Sequence, residues 1–247
     1  DCSYHLGCIT DWTDRIAMAT PIDDPLRSTF GNCCLVLLVS KSHPLTKENG
    51  LRTPVYGLTG GIASGKSTVL KLFDQLGIET RDTDQLARQV VDPGSPGAHA
   101  LEQAIGSQYF VDGTLNRRLL RQHMYQSASL KQQVESVVHP LVRAAVTAWI
   151  ASDTNSPYRI LCSPLLIETE QHQTLDGVIV VDAPETCQLT RGAQRDNDST
   201  ARVQQIIDSQ LPRLTRLEHA TYVIDNSNDL TSLTNQVNAL HETLTHD

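Results

Sequence analysis

The sequence predicts an α/β fold in which helices cover both faces of a parallel β-sheet. Short apolar segments bounded by glycine or proline recur along the chain, and segments with helical hydrophobic spacing alternate with them. This alternation favours a parallel sheet. With 247 residues, of which 39% are hydrophobic, the chain can bury one substantial core.

The first predicted strand covers residues 55–59, and a Gly-rich turn and a helix follow it. A second strand at 78–80 leads into a short helix that stops before Pro93 and Gly94. Further strands are predicted at 159–163, 178–181 and 222–224, and an amphipathic helix at 230–244. Strands and helices therefore alternate over most of the chain beyond residue 52.

Residues 97–152 carry several helical patterns and no clear strand, which predicts a helical insertion beside the sheet. Leu130, Val134 and Val138 mark one of its helices. A second helix is expected to begin at Pro140, because proline is favoured at the first helical position. His139 would then lie at a helix boundary, where a structural role and a cleft position are both open.

Residues 1–52 show no sustained periodicity and contain many turn-forming residues, so we expect a disordered or artefactual N-terminal extension and a folded domain at 53–247. A short strand within 34–39 is the one element expected in the extension. The apolar run at 33–39 is too short to span a bilayer and does not resemble a signal peptide. The six cysteines lack CxxC spacing, which favours reduced thiols and a cytoplasmic protein.

The formal net charge of −8 argues against nucleic acid and anionic membranes as partners. The basic residues are nevertheless informative, because 15 of the 20 are arginine. Arginine binds phosphate in a bidentate manner. A local anion pocket is thus compatible with the acidic chain, and no obligate protein partner is indicated.

A phosphate-binding loop of the pattern G-x-x-x-x-G-K-[ST] follows the first predicted strand. Its glycines allow successive N–H groups to face phosphate oxygens, and the following helix directs its N-terminus at the same anion. The motif predicts a P-loop NTPase fold with ATP and Mg²⁺ as its ligands, Lys66 on the phosphates and Ser67 on the metal. The nucleotide-binding set is Gly60, Gly61, Ile62, Ala63, Ser64, Gly65, Lys66, Ser67 and Thr68.

Two carboxylates, Asp82 and Asp84, follow the second predicted strand, where ligands of such sheets bind. A carboxylate there can accept a proton from an attacking hydroxyl or hold Mg²⁺ through water. Alternatively, either residue can cap the helix that follows. We assign the catalytic role to Asp84 and leave the role of Asp82 open.

Five of the arginines fall within residues 191–216. Arg191 and Arg195 are four residues apart and share one face of a helix, from which they could close over ATP as catalytic groups. A solvated face paired with nearby acids is the alternative. Two further acids follow apolar strands: Asp182 could touch metal or cap a turn, and Glu168 could line the cleft or lie in an exposed loop.

From residue 55 to about residue 244 the chain resembles the dephospho-CoA kinase family. The matching stretches are 58–62, 65–68, 82–84, 87–91, 93–94, 112–115, 139–140, 164–168, 194–196, 213, 216–217, 223–226 and 240–241. Thr83 stands where alanine is usual, and Ala63 where glycine is frequent. Neither change removes a functional group. Thr221 stands where an acid often follows the alanine, which leaves the contribution of that position open.

The resemblance implies a nucleoside-monophosphate-kinase-like core, a CoA-binding insertion at about 97–152 and an arginine-bearing lid at about 187–216. It implies ATP-dependent phosphorylation of the ribose 3′-hydroxyl of dephospho-CoA, with Asp84 as the base. The substrate-facing residues on this interpretation are Thr59, Asp84, Arg117, Arg118, His139 and Glu168. Another small-molecule P-loop kinase and a non-catalytic ATP-binding regulatory module are the alternatives.

Overall fold

The computed structural model of the chain describes residues 37–38, 52–196 and 199–246. Its strands are β1 (Leu37–Leu38), β2 (Val55–Gly60), β3 (Glu79–Asp82), β4 (Phe110–Val111), β5 (Thr114–Leu115), β6 (Arg159–Cys162), β7 (Gly177–Asp182) and β8 (Tyr222–Asp225). Its α-helices are α1 (Lys66–Gln75), α2 (Thr83–Gln89), α3 (Pro96–Ile105), α4 (Arg117–Met124), α5 (Ala128–Ala151), α6 (Glu185–Asp196), α7 (Thr200–Ser209), α8 (Arg213–Glu218) and α9 (Leu230–His246).

The central sheet has the strand order β1-β8-β7-β2-β6-β3. The five strands from β8 to β3 are parallel, and β1 is antiparallel to β8 at the edge. In the middle of the sheet Tyr56 of β2 lies opposite Ile160 on one side and Gly177 on the other. The predicted fold class is therefore confirmed, and all five parallel strands end at the same edge.

Both faces of the sheet are covered. On one face α1 and α9 pack against the strands, and the buried cluster there includes Phe73, Ile179 and Leu240. On the other face two smaller clusters form around Leu166 and Trp149. A parallel strand buried on both faces reads as a continuous apolar run, which is why the sequence revealed these strands clearly.

The segment 97–152 forms its own small core beside the sheet. Its buried apolar residues, together with Val91, are Leu101, Ile105, Tyr109, Leu115, Leu120 and Leu130. The expectation of no strand in this segment is wrong, because β4 and β5 form an antiparallel hairpin. Asp112 and Gly113 connect the two strands with φ angles of 49° and 74°, and Asp-Gly is a favoured pair for such a turn.

The expected helix start at Pro140 is also wrong, since α5 runs without interruption from Ala128 to Ala151 with Pro140 inside it. The side chain of Ser127 caps the true start by accepting the N–H of Leu130. A proline ring costs an interior helical hydrogen bond, but tertiary contacts of a 24-residue helix can outweigh that loss. His139 consequently lies in mid-helix and is exposed.

The strand expected within 34–39 is present as Leu37–Leu38. The remaining expectations for residues 1–51 lie outside the described residues. Within the described part of the chain, no helix has the length and apolar character needed to cross a membrane.

The buried guanidinium of Arg159 holds the insertion against the sheet. Arg159 is fully buried at the start of β6, and its Nε donates to Glu79 Oε2 of β3 at 2.9 Å. Its other nitrogens donate to carbonyl oxygens of Trp149, Ile150, Ser152 and Asp153 at the C-terminus of α5. A cation at a helix C-terminus pairs favourably with the helix dipole, so one side chain connects β6, β3 and α5.

We expect Arg159→Met to lower the free energy of unfolding by about 1–3 kcal/mol, because it removes the cation bound to Glu79 Oε2 and leaves the helix carbonyls without their donor. Urea denaturation followed by circular dichroism measures this change. Arg143→Met is the matched control, since Arg143 is exposed on the same helix and should change stability by less than about 0.5 kcal/mol. Equal losses for the two variants would show that Arg159 has no special role.

Candidate active site

The phosphate loop connects the end of β2 to the start of α1. A β-carbon at Gly60 would collide with the carbonyl oxygen of Val181, and one at Gly65 with the side-chain amide of Asn226. Gly65 also has φ of 101°, which favours glycine. Ala63 has φ of 52°, a left-handed conformation that costs an alanine about 1 kcal/mol. The loop thus stores some strain at Ala63.

The ammonium group of Lys66 lies inside the curve of this loop. Its Nζ donates to the carbonyl oxygens of Gly60 and Gly61 at 2.9 and 2.8 Å. Burial lowers the pKa of Lys66 to about 8; the positive charges of Arg216 and Arg195 lower it too, whereas Cys162 and Asp84 raise it. An anion that binds beside this partly buried ammonium group stabilises its charged form.

Asn226, directly after β8, clamps the loop from the side. Its Nδ2 donates to the main-chain carbonyl oxygen of Ser64 at 2.7 Å. The main-chain carbonyl oxygen of Asn226 accepts from Arg191 Nη1 at 2.8 Å. Sequence reasoning did not include Asn226 among the site residues. The available signal was its position after a predicted strand, at the edge where ligands bind.

A cleft of about 370 Å³ opens beside the loop and α1. Arg191 and Arg195 of α6 both line it. The other lining residues are Ala63, Gly65, Ser67, Thr68, Asn226, Asn228, Leu230 and Leu233. The cleft therefore joins the N-terminus of a helix to two arginines, an arrangement that suits the polyphosphate and base of a nucleotide.

Asp82 and Asp84 take different positions at the start of α2. Asp82 is the N-cap, and its Oδ1 accepts the N–H of Asp84 at 2.8 Å. Partial burial raises the pKa of Asp84, the charge of Asp82 raises it further, and Arg88 and Lys66 act in the opposite direction. The Asp84 side chain remains more than a third exposed. It is accessible to a substrate proton, and Asp82 has a structural role.

A second cleft, of about 570 Å³, is lined by Asp84 and by residues that include members of α2, α4 and α5. Its apolar lining residues are Ala87, Val91, Leu101, Leu115, Leu120, Met124, Val134 and Val138. Its cationic lining residues are Arg88, Arg117, Arg121 and Lys131. This combination suits a ligand that has both an anionic and an apolar part.

The remaining candidate residues lie in different places. Thr59 is buried within β2, and Arg118 and His139 are exposed and are not among the residues lining either cleft. Glu168 Oε1 accepts the N–H of Leu211 at 3.3 Å. Asp82 and Lys66 lie close enough to Asp84 to act on its charge, whereas Thr59, Arg118, His139 and Glu168 line neither cleft.

Asp182 at the end of β7 forms a bidentate ion pair with Arg213. Its two carboxylate oxygens accept from Arg213 Nε at 2.8 Å and Nη2 at 2.6 Å. The structure therefore favours a structural role for Asp182. No group of three or more His, Cys, Asp or Glu side chains in the described part of the chain could hold a metal ion.

Two residues missed by sequence reasoning lie near the loop. Gln210, after α7, accepts the N–H of Ile62 on its Oε1 at 2.9 Å. Arg216 of α8 is 6% exposed and donates from Nη2 to the carbonyl oxygen of Leu211 at 2.7 Å. Arg216 belongs to the arginine-rich segment, but its burial could not be foreseen there. A lone glutamine gives no sequence signal.

Comparisons with known proteins agree with this geometry. A family model described as dephospho-CoA kinase matches residues 54–232. The dephospho-CoA kinase of Acinetobacter baylyi is 41% identical over 189 residues, which are 76% of this chain and 96% of that protein. That of Hahella chejuensis is 40% identical over 189 residues, 76% of this chain and 90% of that protein. A crystal structure of a Thermus thermophilus protein matches 79% of this chain and 100% of its own with a TM-score of 0.68 and 29% identity.

We expect the binding of a nucleoside triphosphate to take up a proton at alkaline pH. Phosphates beside Lys66 favour its charged form and raise its pKa from about 8 toward its ordinary value. Uptake should reach about one proton per bound triphosphate near pH 9 and be small near pH 7. Calorimetric titration in buffers with different ionisation enthalpies measures this uptake. Lys66→Arg, which stays protonated, should abolish it, and buffer-independent heats for the wild type near pH 9 would contradict the interpretation.

Proposed function

We propose that this chain, which belongs to the dephospho-CoA kinase family, transfers the γ-phosphoryl group of ATP to the ribose 3′-hydroxyl of dephospho-CoA. The observation that carries the proposal is a pair of clefts: one is lined by the phosphate loop, and the other is lined by Asp84, whose charge acts on Lys66 of that loop. One cleft offers the phosphate loop and two arginines, and the other offers Asp84 with an apolar floor and a cationic rim. A regulatory module that only binds ATP would not need the second cleft.

In the first cleft the loop N–H groups and Lys66 hold the phosphates of ATP, and Arg191 and Arg195 approach from the lid side. The Ser67 hydroxyl is exposed at the start of α1, where it can ligate Mg²⁺ bound to those phosphates. Bound Mg²⁺ would neutralise charge on the β- and γ-oxygens. The protein offers no closed metal cage among its described residues, which fits a metal held mainly by phosphate and water.

In the second cleft the chemistry of dephospho-CoA matches the lining. Its pyrophosphate is anionic and its pantetheine arm is largely apolar. Arg88, Arg117, Arg121 and Lys131 can pair with the former, and the apolar floor can cover the latter. The 3′-hydroxyl would then lie at the end of the cleft where Asp84 is found.

Asp84 acts as the general base. The 3′-oxygen attacks the γ-phosphorus, the bond to the β–γ bridging oxygen breaks, and the hydroxyl proton passes to Asp84. ADP leaves with the bonding electrons. The free thiols of Cys162 and Cys187 are consistent with a reducing compartment, and we place the reaction in the cytoplasm.

We expect Asp84→Asn to lower kcat by about 10²–10⁴-fold and to leave the KM for ATP nearly unchanged, because the base acts only on the acceptor hydroxyl. Since the base must be ionised, kcat/KM should fall as pH decreases. Because the pKa of Asp84 is raised, this fall should begin at a higher pH than an ordinary aspartate would give. ADP release coupled to NADH oxidation, with dephospho-CoA as acceptor, measures both.

Asp82→Asn is the matched control for this test. An asparagine keeps the oxygen that caps α2, so kcat should stay within about threefold of the wild type. An unchanged kcat in Asp84→Asn would remove Asp84 from the base role. Wild-type protein that is folded and supplied with Mg²⁺, yet releases no ADP with dephospho-CoA, would refute the proposed function itself.

We expect Arg121→Ala to raise the KM for dephospho-CoA about tenfold, because it removes a cation from the cleft lining. Arg118→Ala, three residues earlier on the same helix, should have little effect since its side chain does not line the cleft. Steady-state kinetics with varied dephospho-CoA and saturating ATP distinguish the two. The reverse order of effects would move the substrate to the other side of α4.

A further inference from the structure

Helix α7, in the arginine-rich segment, contacts the insertion near one end and the phosphate loop at the other. In its first turn the guanidinium carbon of Arg202 lies 5.4 Å from the ring centroid of Tyr125, which directly follows α4. After the last residue of α7, Gln210 accepts the N–H of Ile62 in the phosphate loop at 2.9 Å. The proposed mechanism uses neither contact.

Tyr125 belongs to the second cleft. It is one of the residues that line this cleft together with Asp84, and it is 71% exposed. A cation within about 6 Å of an aromatic ring centroid is attracted by the electrons of the ring face. The contact of Arg202 with Tyr125 is therefore a cation–π interaction that joins the lining of the acceptor cleft to α7. Arg202 itself does not line that cleft.

Helix α7 is also packed closely against α6, the helix that carries Arg191 and Arg195. A β-carbon at Gly192 of α6 would lie 2.8 Å from Cγ1 of Val203, which is 2% exposed. The missing side chain thus lets the two helices approach each other. Arg191 in turn donates to the main-chain carbonyl oxygen of Asn226, whose side chain holds the phosphate loop. Because such close-packed elements transmit displacements, a shift of α7 must also move the two arginines of the nucleotide cleft.

A rigid helix that contacts two sites can make the binding of their ligands interdependent. From Arg202 to Gln210 the backbone rises about 12 Å, at about 1.5 Å per residue, so α7 reaches from the acceptor cleft to the phosphate loop. An acceptor bound in the second cleft restricts Tyr125 and, through Arg202, the position of α7. A nucleotide then meets a loop and arginines whose motion is already restricted, and it loses less conformational entropy on binding.

We propose that Arg202 and Tyr125 are positioning residues that couple the two clefts through α7, so that binding of dephospho-CoA favours binding of ATP. The proposal rests on the proposed function for the identity of the two ligands. By thermodynamic linkage, ATP must tighten the binding of dephospho-CoA by the same factor. Neither residue takes part in the chemical step.

The test measures a coupling factor, which is the ratio of the dissociation constants of an ATP analogue without and with saturating dephospho-CoA. The analogue is adenylyl imidodiphosphate with Mg²⁺, because its terminal phosphoryl group is not transferred. Calorimetric titration of the full chain gives both constants, and the wild-type factor should be at least about two. Arg202→Ala and Tyr125→Ala should each lower this factor by about two- to fivefold, up to its complete loss, as expected for an exposed cation–π interaction.

Tyr125→Phe is the matched control, since it keeps the ring and removes only the hydroxyl, and it should retain the wild-type coupling factor. Gln205→Ala, which changes an exposed residue of α7, should retain it too. The double variant of Tyr125→Ala and Arg202→Ala should lose no more coupling than either single variant, because both changes remove one contact. Since Arg202 does not line the cleft, Arg202→Ala should leave the affinity for dephospho-CoA alone within about twofold.

A wild-type coupling factor of one would overturn the proposal, as would Arg202→Ala and Tyr125→Ala variants that keep the wild-type factor. ADP release with dephospho-CoA, measured on the same protein, separates this failure from that of the proposed function. Coupling that the variants lose, in a wild type that releases no ADP, would refute the proposed function alone. Normal ADP release with coupling unchanged in the variants would refute the role of the two residues alone, and a wild type that binds no dephospho-CoA would refute both.

Discussion

Five parallel strands end at one edge of the sheet, and the phosphate loop and the carboxylates of the site depend on that constraint. β2 delivers the phosphate loop, β3 delivers Asp82 and Asp84, and β8 delivers Asn226. β6 leads to the segment that carries Glu168, and β7 ends at Asp182. Residues more than 140 positions apart in sequence thus become neighbours, as the bond from Asn226 to the Ser64 carbonyl oxygen shows. The parallel strand order therefore places these side chains together at one edge of the sheet.

Beside the phosphate loop the charge of Lys66 favours an incoming anion, although the whole chain carries a net charge of −8. Asp182 is neutralised by Arg213, and Lys66 and Arg216 have no such partner among the described carboxylates. Burial makes this excess effective, because low hydration strengthens electrostatic attraction to phosphate. The net charge of the whole chain therefore does not decide which ligand binds, because the charged side chains beside the phosphate loop do.

Sequence reasoning predicted most of the sheet and the phosphate loop, because buried parallel strands and a glycine-rich motif leave local signals. It separated the roles of Asp82 and Asp84 only as alternatives, since a cap and a base are both carboxylates at the same helix start. It divided α5 at Pro140, because local propensity cannot show the tertiary contacts that keep a helix intact across a proline. Gln210 and Arg216 were missed for a similar reason: their importance comes from residues distant in sequence.

The insertion has a core of its own and also packs on the sheet through Trp149, and phosphoryl transfer requires the acceptor to reach the phosphate at a fixed position. Arg159 supplies that geometry, since it joins the end of α5 to Glu79 at the start of β3. β3 ends at Asp82, and Asp84 follows in the first turn of α2. β3, which binds Arg159 through Glu79, is therefore also the strand that positions Asp84. Loss of the hydrogen bonds of Arg159 would let α5, which lines the second cleft, move relative to Asp84. The same buried hydrogen bonds therefore contribute to the stability of the fold and to the positioning of the acceptor.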